Sequence, residues 1–262
     1  MNKTVKIILI VVLCLILVGA VFAAGLLLAD RFGFVQIGKY TLHTNTTEVF
    51  EDFQNIEIDV DASNVTLALS QDETCRVECR EPDRLRHRVA VRNGTLYVSL
   101  DSGDDLLSRV GLHSETLGVT VYLPRAEYHN LNVETDTGAI TLRDTVVNGM
   151  SEISSDTGEI TISHCQLSRA ELDSDSADIL LNYTTCGGTL KAESDVGNVI
   201  FDQSDAAEIL VETDTGDISG TLLSDKVFTA KSRTGMVVVP ESLTGGRCIL
   251  NSDTGNIQVR IR

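Results

Sequence analysis

A column of carboxylates recurs through the second half of this chain: Asp136, Asp156, Asp175, Asp195, Asp214 and Asp253. Two residues upstream of it runs a second column, Glu134, Asp173, Glu193 and Glu212, with Ser154, Lys231 and Asn251 in its remaining places. Carboxylate oxygens stacked in this way suit a hard divalent cation such as Ca2+. Asp175, Asp195, Asp214, Glu193 and Glu212 are the densest part of the pattern and are the candidate cation strip. The Gly-Gly-x-Gly-x-Asp nonapeptide of calcium-binding β-rolls is absent, as is an EF-hand loop. Asp136, Asp156, Asp214 and Asp253 also open the phrase Asp-Thr-Gly. Aspartic proteases use that phrase for a pair of carboxylates that share one proton. Such a pair needs two distinguished copies behind apolar strand residues, whereas here a whole column follows Ser or Thr. No catalytic residue and no cofactor is therefore assigned. The phrase reads as a corner, in which Asp accepts hydrogen bonds from the backbone two residues on and Gly tolerates positive φ.

The elements that carry these columns follow from the period. The corner falls at Gly138, Gly158, Ala177, Gly197, Gly216, Gly235 and Gly255, always 19 or 20 residues apart. A fixed period of that length is the mark of stacked coils. Two residues after the corner stand Ile140, Ile160, Ile179, Val199, Ile218, Val237 and Ile257, all β-branched. Four after it stand Leu142, Ile162, Leu181, Phe201, Gly220, Val239 and Val259; five before it stand Val133, Ile153, Leu172, Ala192, Val211, Ala230 and Leu250. Apolar residues alternating on both sides of a polar turn describe two short strands with one buried face each. A further apolar residue recurs between coils (Val147, Leu167, Ala206, Leu243) and suggests a third side. The fold class predicted is all-β: a parallel β-solenoid with about 19–20 residues per coil, preceded by one N-terminal transmembrane helix. An antiparallel sandwich is the alternative, since strand-turn-strand is also a hairpin. In the sequential stack, the sixth coil sets Lys231 beside Glu212 and Arg233 beside Asp214.

The organisation reads as follows. Residues 1–4 are a cytoplasmic N-terminus and 5–29 a transmembrane anchor, uncharged from Val5 to Ala29 except for Lys6, with Lys3 before it and Asp30-Arg31 after. About 20 apolar residues cross a bilayer core, and the flanking lysines hold the N-terminus inside. A cleaved signal peptide ending near Val21-Phe22-Ala23 is the alternative. Residues 30–54 form a stalk and opening strand, 55–130 an irregular part of the same stack, and 131–262 the regular seven-coil solenoid. In the irregular part Ile56 to Val60 alternates, Ser63 takes the glycine's place, and Asn93-Gly94 marks a hairpin turn. The stretch from Asp101 to Glu115 reads as a loop.

The chain has a net charge of −17, and without Lys3 and Lys6 it keeps 19 basic residues against 38 acidic ones. Such acidity repels nucleic acid and anionic lipid head groups and favours basic partners or divalent cations. Five of the six cysteines lie beyond the anchor. Cys75 and Cys79 are four apart on one strand, about 13 Å if extended, too far to bond. Cys165 and Cys186 take nearly matching places in successive coils and could stack or bridge. An odd count argues against a complete disulfide framework.

Ile56 to Leu67, the strand Val119-Thr120-Val121-Tyr122-Leu123-Pro124 and the serial Ser/Thr-Asp-Thr-Gly-Asp/Glu-Ile phrases together resemble the bacterial putative-adhesin family of unassigned function, over about residues 45–262. The resemblance implies a β-solenoid at the bacterial envelope, often behind one membrane helix and sometimes beside envelope-stress signalling components. It supplies no catalytic residues. The expectation is a single-pass membrane protein with an extracellular C-terminal domain. That domain would act as an adhesin-like binding or structural module toward an envelope component or surface glycan, without nucleic acid. An enzyme acting on surface polysaccharide is the competing reading.

Overall fold

Alternating apolar residues on both sides of a corner need a partner face for each strand, and stacking copies of the same coil supplies it. The computed structural model describes residues 41–82, 85–101 and 117–262, and within them it is all-β. The transmembrane segment expected at 5–29, the residues around it and the loop at 102–116 lie outside the described residues. Among the described residues no helix is long and apolar enough to cross a membrane.

The first strands are β1 (Leu42–Val49), β2 (Asn55–Val60), β3 (Ser63–Leu69), β4 (Cys75–Pro82), β5 (Arg86–Arg92), β6 (Thr95–Asp101) and β7 (Leu117–Leu123). The short β8 (Glu127–Tyr128) leads to β9 (Asn130–Thr135), β10 (Ile140–Arg143), β11 (Val146–Ser155), β12 (Ile160–Ser163), β13 (Gln166–Ser174) and β14 (Ile179–Asn182). Then come β15 (Thr185–Val196), β16 (Val199–Asp202), β17 (Asp205–Thr215) and β18 (Ile218–Leu222). The chain ends with β19 (Lys226–Thr234), β20 (Val237–Val238), β21 (Gly246–Thr254) and β22 (Ile257–Ile261). They form two long sheets. One runs β1-β4-β7-β3-β10-β12-β14-β16-β18-β22-β20, the other β19-β21-β17-β15-β13-β11-β9-β2-β6-β5. Pairing is parallel except at one end, where β1–β4, β4–β7 and β5–β6 are antiparallel. The hairpin β5–β6 turns on Asn93 and Gly94, both at positive φ. Residues 42–49, placed by sequence in a stalk and opening strand, form the edge strand β1 on β4.

The core is made of the repeat's columns. Ile140, Ile160, Ile179, Val199, Ile218 and Ile257 are at most 1% exposed, as are Val133, Ile153, Leu172, Ala192 and Leu250. The third side expected of each coil does not form. Val147, Leu167 and Ala206 are buried, with Cys186 between the last two in register, but they begin the long strands of the second sheet. The register shifts by a bulge after three of these, between Val147 and Met150, Leu167 and Ala170, and Cys186 and Thr189. The extra residue bends the strand, so one bulged strand covers what two sides would. Leu243 departs from that column and is 96% exposed.

At the glycine corner the coils approach closely. The residue three before each corner is Thr135, Ser155, Ser194, Thr213 or Ser252 in the interior coils, and all are buried. Each hydroxyl donates to the corner carbonyl of the coil beneath: Thr135 to Ser63 (3.3 Å), Ser155 to Gly138 (3.0 Å), Ser194 to Ala177 (3.2 Å), Thr213 to Gly197 (3.1 Å) and Ser252 to Gly216 (3.0 Å). The approach leaves no room for a side chain. A Cβ on Gly158 would lie 1.8 Å from the Gly138 carbonyl oxygen, and one on Gly216 1.8 Å from that of Gly197. Space, not positive φ, therefore dictates glycine at these two corners. Where Ala177 replaces it, the matching Ser174 hydroxyl is buried without a hydrogen-bond partner.

The coils do not stack in chain order. β21 lies between β17 and β19, and β22 between β18 and β20. The coil of Gly255 thus sits inside that of Gly235, which ends the stack. Its Met236, Val237 and Val238 are exposed. Asn251 consequently separates Glu212 from Lys231, and the expected contacts Lys231–Glu212 and Arg233–Asp214 do not form. Arg233 pairs instead with Asp253 at 3.2 Å. Lys226, 2% exposed, holds the exchanged order: its ammonium reaches Asp205 of β17 at 2.6 Å, past the intervening β21. Gly246 is fixed by the neighbouring backbone rather than by Lys226: a Cβ there would lie 1.9 Å from the Ala207 carbonyl oxygen and at an ordinary 3.7 Å from Lys226 Cδ.

The exchange has a mutational signature. Ile257→Ala should cost about 3 kcal/mol in denaturant unfolding, as for a buried Ile, whereas Val237→Ala should cost under about 1 kcal/mol. A sequential stack reverses that ranking. Gly216→Ala should cost about 2–3 kcal/mol through overpacking at the corner, while Ala177→Gly should be neutral or stabilising in the same assay.

Candidate functional site

Strand alternation sends the two carboxylate columns outward, opposite in parity to the buried column. Register places Asp173 beside Glu193 and Glu193 beside Glu212. Asp175, Asp195, Asp214 and Glu212 are exposed, and Glu193 is half-buried. The face is less one-signed than the two columns suggest. Lys191, two residues before Glu193 and so on the same face, reaches Glu193 at 2.9 Å and Glu171 at 3.1 Å. Its position was legible in the strand alternation. Burial and then the Glu193 carboxylate push the Asp173 carboxyl above its ordinary range, with Asp175 and Asp195 adding and Lys191 opposing. Asp136 is raised in the same way by burial, Asp61, Asp156 and Asp59.

A different group draws its members together. On β4 the inward side chains are Cys75, Val77, Cys79 and Glu81, so a carboxylate takes a place that the alternation reserves for an apolar residue. Glu81 is 3% exposed. Its Oε2 accepts the His87 backbone N–H at 2.6 Å and faces His87 Nδ1 at 2.7 Å. Its Oε1 accepts from Asn45 Nδ2 on β1 at 2.7 Å. His87 Nε2 lies 2.9 Å from the Ser63 hydroxyl. Cys79 completes the group: among the described residues it is the one set of three or more metal-capable side chains, Cys79, Glu81 and His87, whose ligand atoms all lie within 4.8 Å. Burial, with Glu81 second, pushes the Cys79 thiol up to about 12. Burial lowers the His87 imidazole against the opposing pull of Glu81. Spacing alone marks Cys79 only as lying on one strand with Cys75 and marks neither Glu81 nor His87. The signal within reach was Glu81 in a buried parity position; the pairing with His87 and Ser63 needed the fold.

Ser63, His87 and Glu81 lie in the hydrogen-bond order of a serine-hydrolase triad. The Ser63 residue is 0% exposed, however, and a nucleophile has to meet its substrate. The five cysteines among the described residues are free and buried. Cys165 shares its column with Thr184 through the Cys165 N–H to Thr184 Oγ1 bond, while Cys186 pairs with Leu167, so the two do not stack or bridge. Burial pushes the Cys75 and Cys165 thiols to about 11 and Cys248 to about 12, far from the thiolate form that reacts.

The described residues build a β-protein of two long sheets of stacked coils. The Toastrack DUF4097 family profile matches residues 53–262, and the chain belongs to that family. A putative adhesin from Parabacteroides distasonis ATCC 8503 shares the fold at a TM-score of 0.51 and 12% identity, over 86% of this chain and 98% of that one. A putative adhesin from Bacteroides fragilis NCTC 9343 aligns at a TM-score of 0.47 and 17% identity, over 87% of this chain and 100% of the other. No curated protein matches.

The raised Asp173 carboxyl makes a signed expectation. Its charge opposes folding above its folded-state pKa, and that penalty disappears as pH falls and the group protonates. Asp173→Asn should therefore raise the melting temperature at pH 7, by an amount worth about 1 kcal/mol or less. The gain should shrink toward pH 4 and with added salt. A gain unchanged by pH contradicts the assignment.

Proposed function

We propose that this toastrack protein is a single-pass membrane protein whose C-terminal domain stands outside the cell and works as an adhesin-like binding or structural module of the bacterial envelope. The observation that carries the reading is the distribution of its polar chemistry. The carboxylates of the repeated column, Asp136 to Asp253, are offered to solvent, while the Ser63–His87–Glu81 chain is sealed in the interior. A wall of repeated columns suits multivalent contact with an extended or repetitive partner, because most coils offer an aspartate of the same column one strand spacing further on, about 4.8 Å. The acidic outer face selects basic or cation-bridged partners. The uncharged run before Asp30 and the lysines ahead of it support the topology. The family match and the fold shared with a putative adhesin agree with the reading.

The test is protease shaving of intact cells that carry the full chain with a C-terminal epitope. Added protease should remove the epitope while a cytoplasmic marker survives. Replacing Leu9, Val12 and Leu15 by Arg should release the anchor and with it the cell-associated signal. An epitope fully protected until the cells are lysed overturns the topology.

A further inference from the structure

The cluster at the antiparallel end of the stack contains more built detail than a buried ion pair needs. Glu81 occupies an inward place on β4 directly after Cys79 in the same parity, and both are 3% exposed. A carboxylate that deep is retained where it is paired, hydrogen-bonded or bound to a metal. His87 comes from β5 and closes the third side of the group. A tetrahedral zinc with bonds of about 2.0–2.3 Å separates its ligand atoms by roughly 3.3–3.8 Å. The three ligand atoms lie within 4.8 Å of one another, with His87 Nδ1 and Glu81 Oε2 at 2.7 Å. Opening the His87–Glu81 contact from 2.7 Å by about 0.5 Å brings that pair to zinc's spacing, with the thiol already inside the same 4.8 Å cluster.

We propose that Cys79 Sγ, Glu81 Oε2 and His87 Nδ1 form a site for a borderline-soft divalent metal ion of the zinc class, which ties the end strands β1, β4 and β5 to the first coil of the stack. The donor set chooses the ion: a thiolate and an imidazole reject Ca2+ and Mg2+, and sulfur, nitrogen and carboxylate oxygen together suit Zn2+. Charge balances as well, because one thiolate, one carboxylate and one neutral imidazole offset a doubly positive ion in the interior. The proton count closes. Cys79 gives up its thiol proton to solvent, and the imidazole proton moves from Nδ1 to Nε2, which then donates to the Ser63 hydroxyl oxygen at 2.9 Å.

The supporting contacts that orient metal ligands are already present. Metal-bound histidines hold their second nitrogen on a hydrogen-bond partner, and bound carboxylates are themselves hydrogen-bonded. Here Ser63 takes the first role, at 2.9 Å from Nε2. Asn45 takes the second, donating to Glu81 Oε1 at 2.7 Å, while Oε2 accepts the His87 backbone N–H at 2.6 Å and faces the ion with its remaining lone pair. These partners come from β1 and β3, the ligands from β4 and β5. A bound ion therefore joins strands of both sheets, β5 in one and β1, β3 and β4 in the other. The site has three protein ligands and a fourth position for water.

The full-length protein, purified in detergent, is titrated with Co2+ and Zn2+ after treatment with a chelator. One equivalent of Co2+ should produce thiolate-to-cobalt charge-transfer absorption, which one equivalent of Zn2+ abolishes. Zinc should raise the melting temperature and Ca2+ should not reproduce that rise. Cys79→Ala, and separately His87→Gln, should remove the absorption, while Cys248→Ala leaves it intact. Should these variants fail to fold, the wild-type protein still decides. Alkylation mapped by mass spectrometry should show Cys79 shielded with zinc and labelled faster after chelation, with Cys248 unchanged. Absence of the cobalt band in folded wild-type protein overturns the proposal, as does a band that survives Cys79→Ala or equal labelling of Cys79 with and without zinc.

Discussion

The structure rests on how closely one coil's corner can lie on the next. Ser155 donates to the Gly138 carbonyl and Thr213 to that of Gly197, and a methyl group at Gly158 or Gly216 would strike the same oxygens. Hydroxyl and glycine act as one device. The first satisfies a carbonyl that burial would otherwise strand, and the second permits the spacing at which the bond forms. With that spacing set at each step, the isoleucines of adjacent coils fall in register and the acidic columns stack on the outside. The opposite corner uses another solution. Asp144, His164, Tyr183 and Gln203 adopt positive φ without glycine. Behind the last three sit the buried Cys165, Thr184 and Ser204, each bonding a carbonyl two residues back.

The exchanged order of the last two coils follows from what each has to bury. The coil of Gly255 brings Leu250, Ile257 and Val259 to the interior columns; that of Gly235 brings Ala230, Val237 and Val239. Placing the larger apolar set between neighbours and the smaller at the end buries more hydrocarbon. The same arrangement leaves Lys231 and Arg233 exposed at the terminal strand. Charged residues on an edge discourage further strand addition. The Lys226–Asp205 contact across Gly246 is the polar counterpart of this choice: a buried ammonium with its carboxylate at 2.6 Å and the Ser224 hydroxyl also at 2.6 Å.

The other end is finished differently. There β1, β4 and β5 run antiparallel to their neighbours, and their polar residues Asn45, Glu81 and His87 gather against Ser63. Ser63 stands where the repeat has its glycine, and it supplies both a corner carbonyl to Thr135 and a hydroxyl to His87. One residue thus joins the regular stack to its end strands.

The repeat by itself determined the all-β stack, its period, the buried isoleucine columns and the outward direction of the carboxylates. Each of these depends on parity and periodicity, which are local and repeated seven times in the sequence. The N–G turn between β5 and β6 was legible for the same reason. The order of the coils was not, because parallel coils with like columns can neighbour one another in any order that the connections allow. The choice between Gly235 and Gly255 for the last place depends on summed burial and on Lys226 meeting Asp205, 21 residues earlier in the chain. The third side failed for a related reason: a bulge after Val147 or Leu167 is a tertiary accommodation that alternation does not encode. The Cys79–Glu81–His87 group stayed hidden because β4 and β5 belong to different sheets and only the closing of the stack brings Glu81, His87 and Ser63 together. Sequence spacing sets which way a side chain points, but the meeting of side chains from different strands is decided by the packing that leaves a buried carboxylate no other partner.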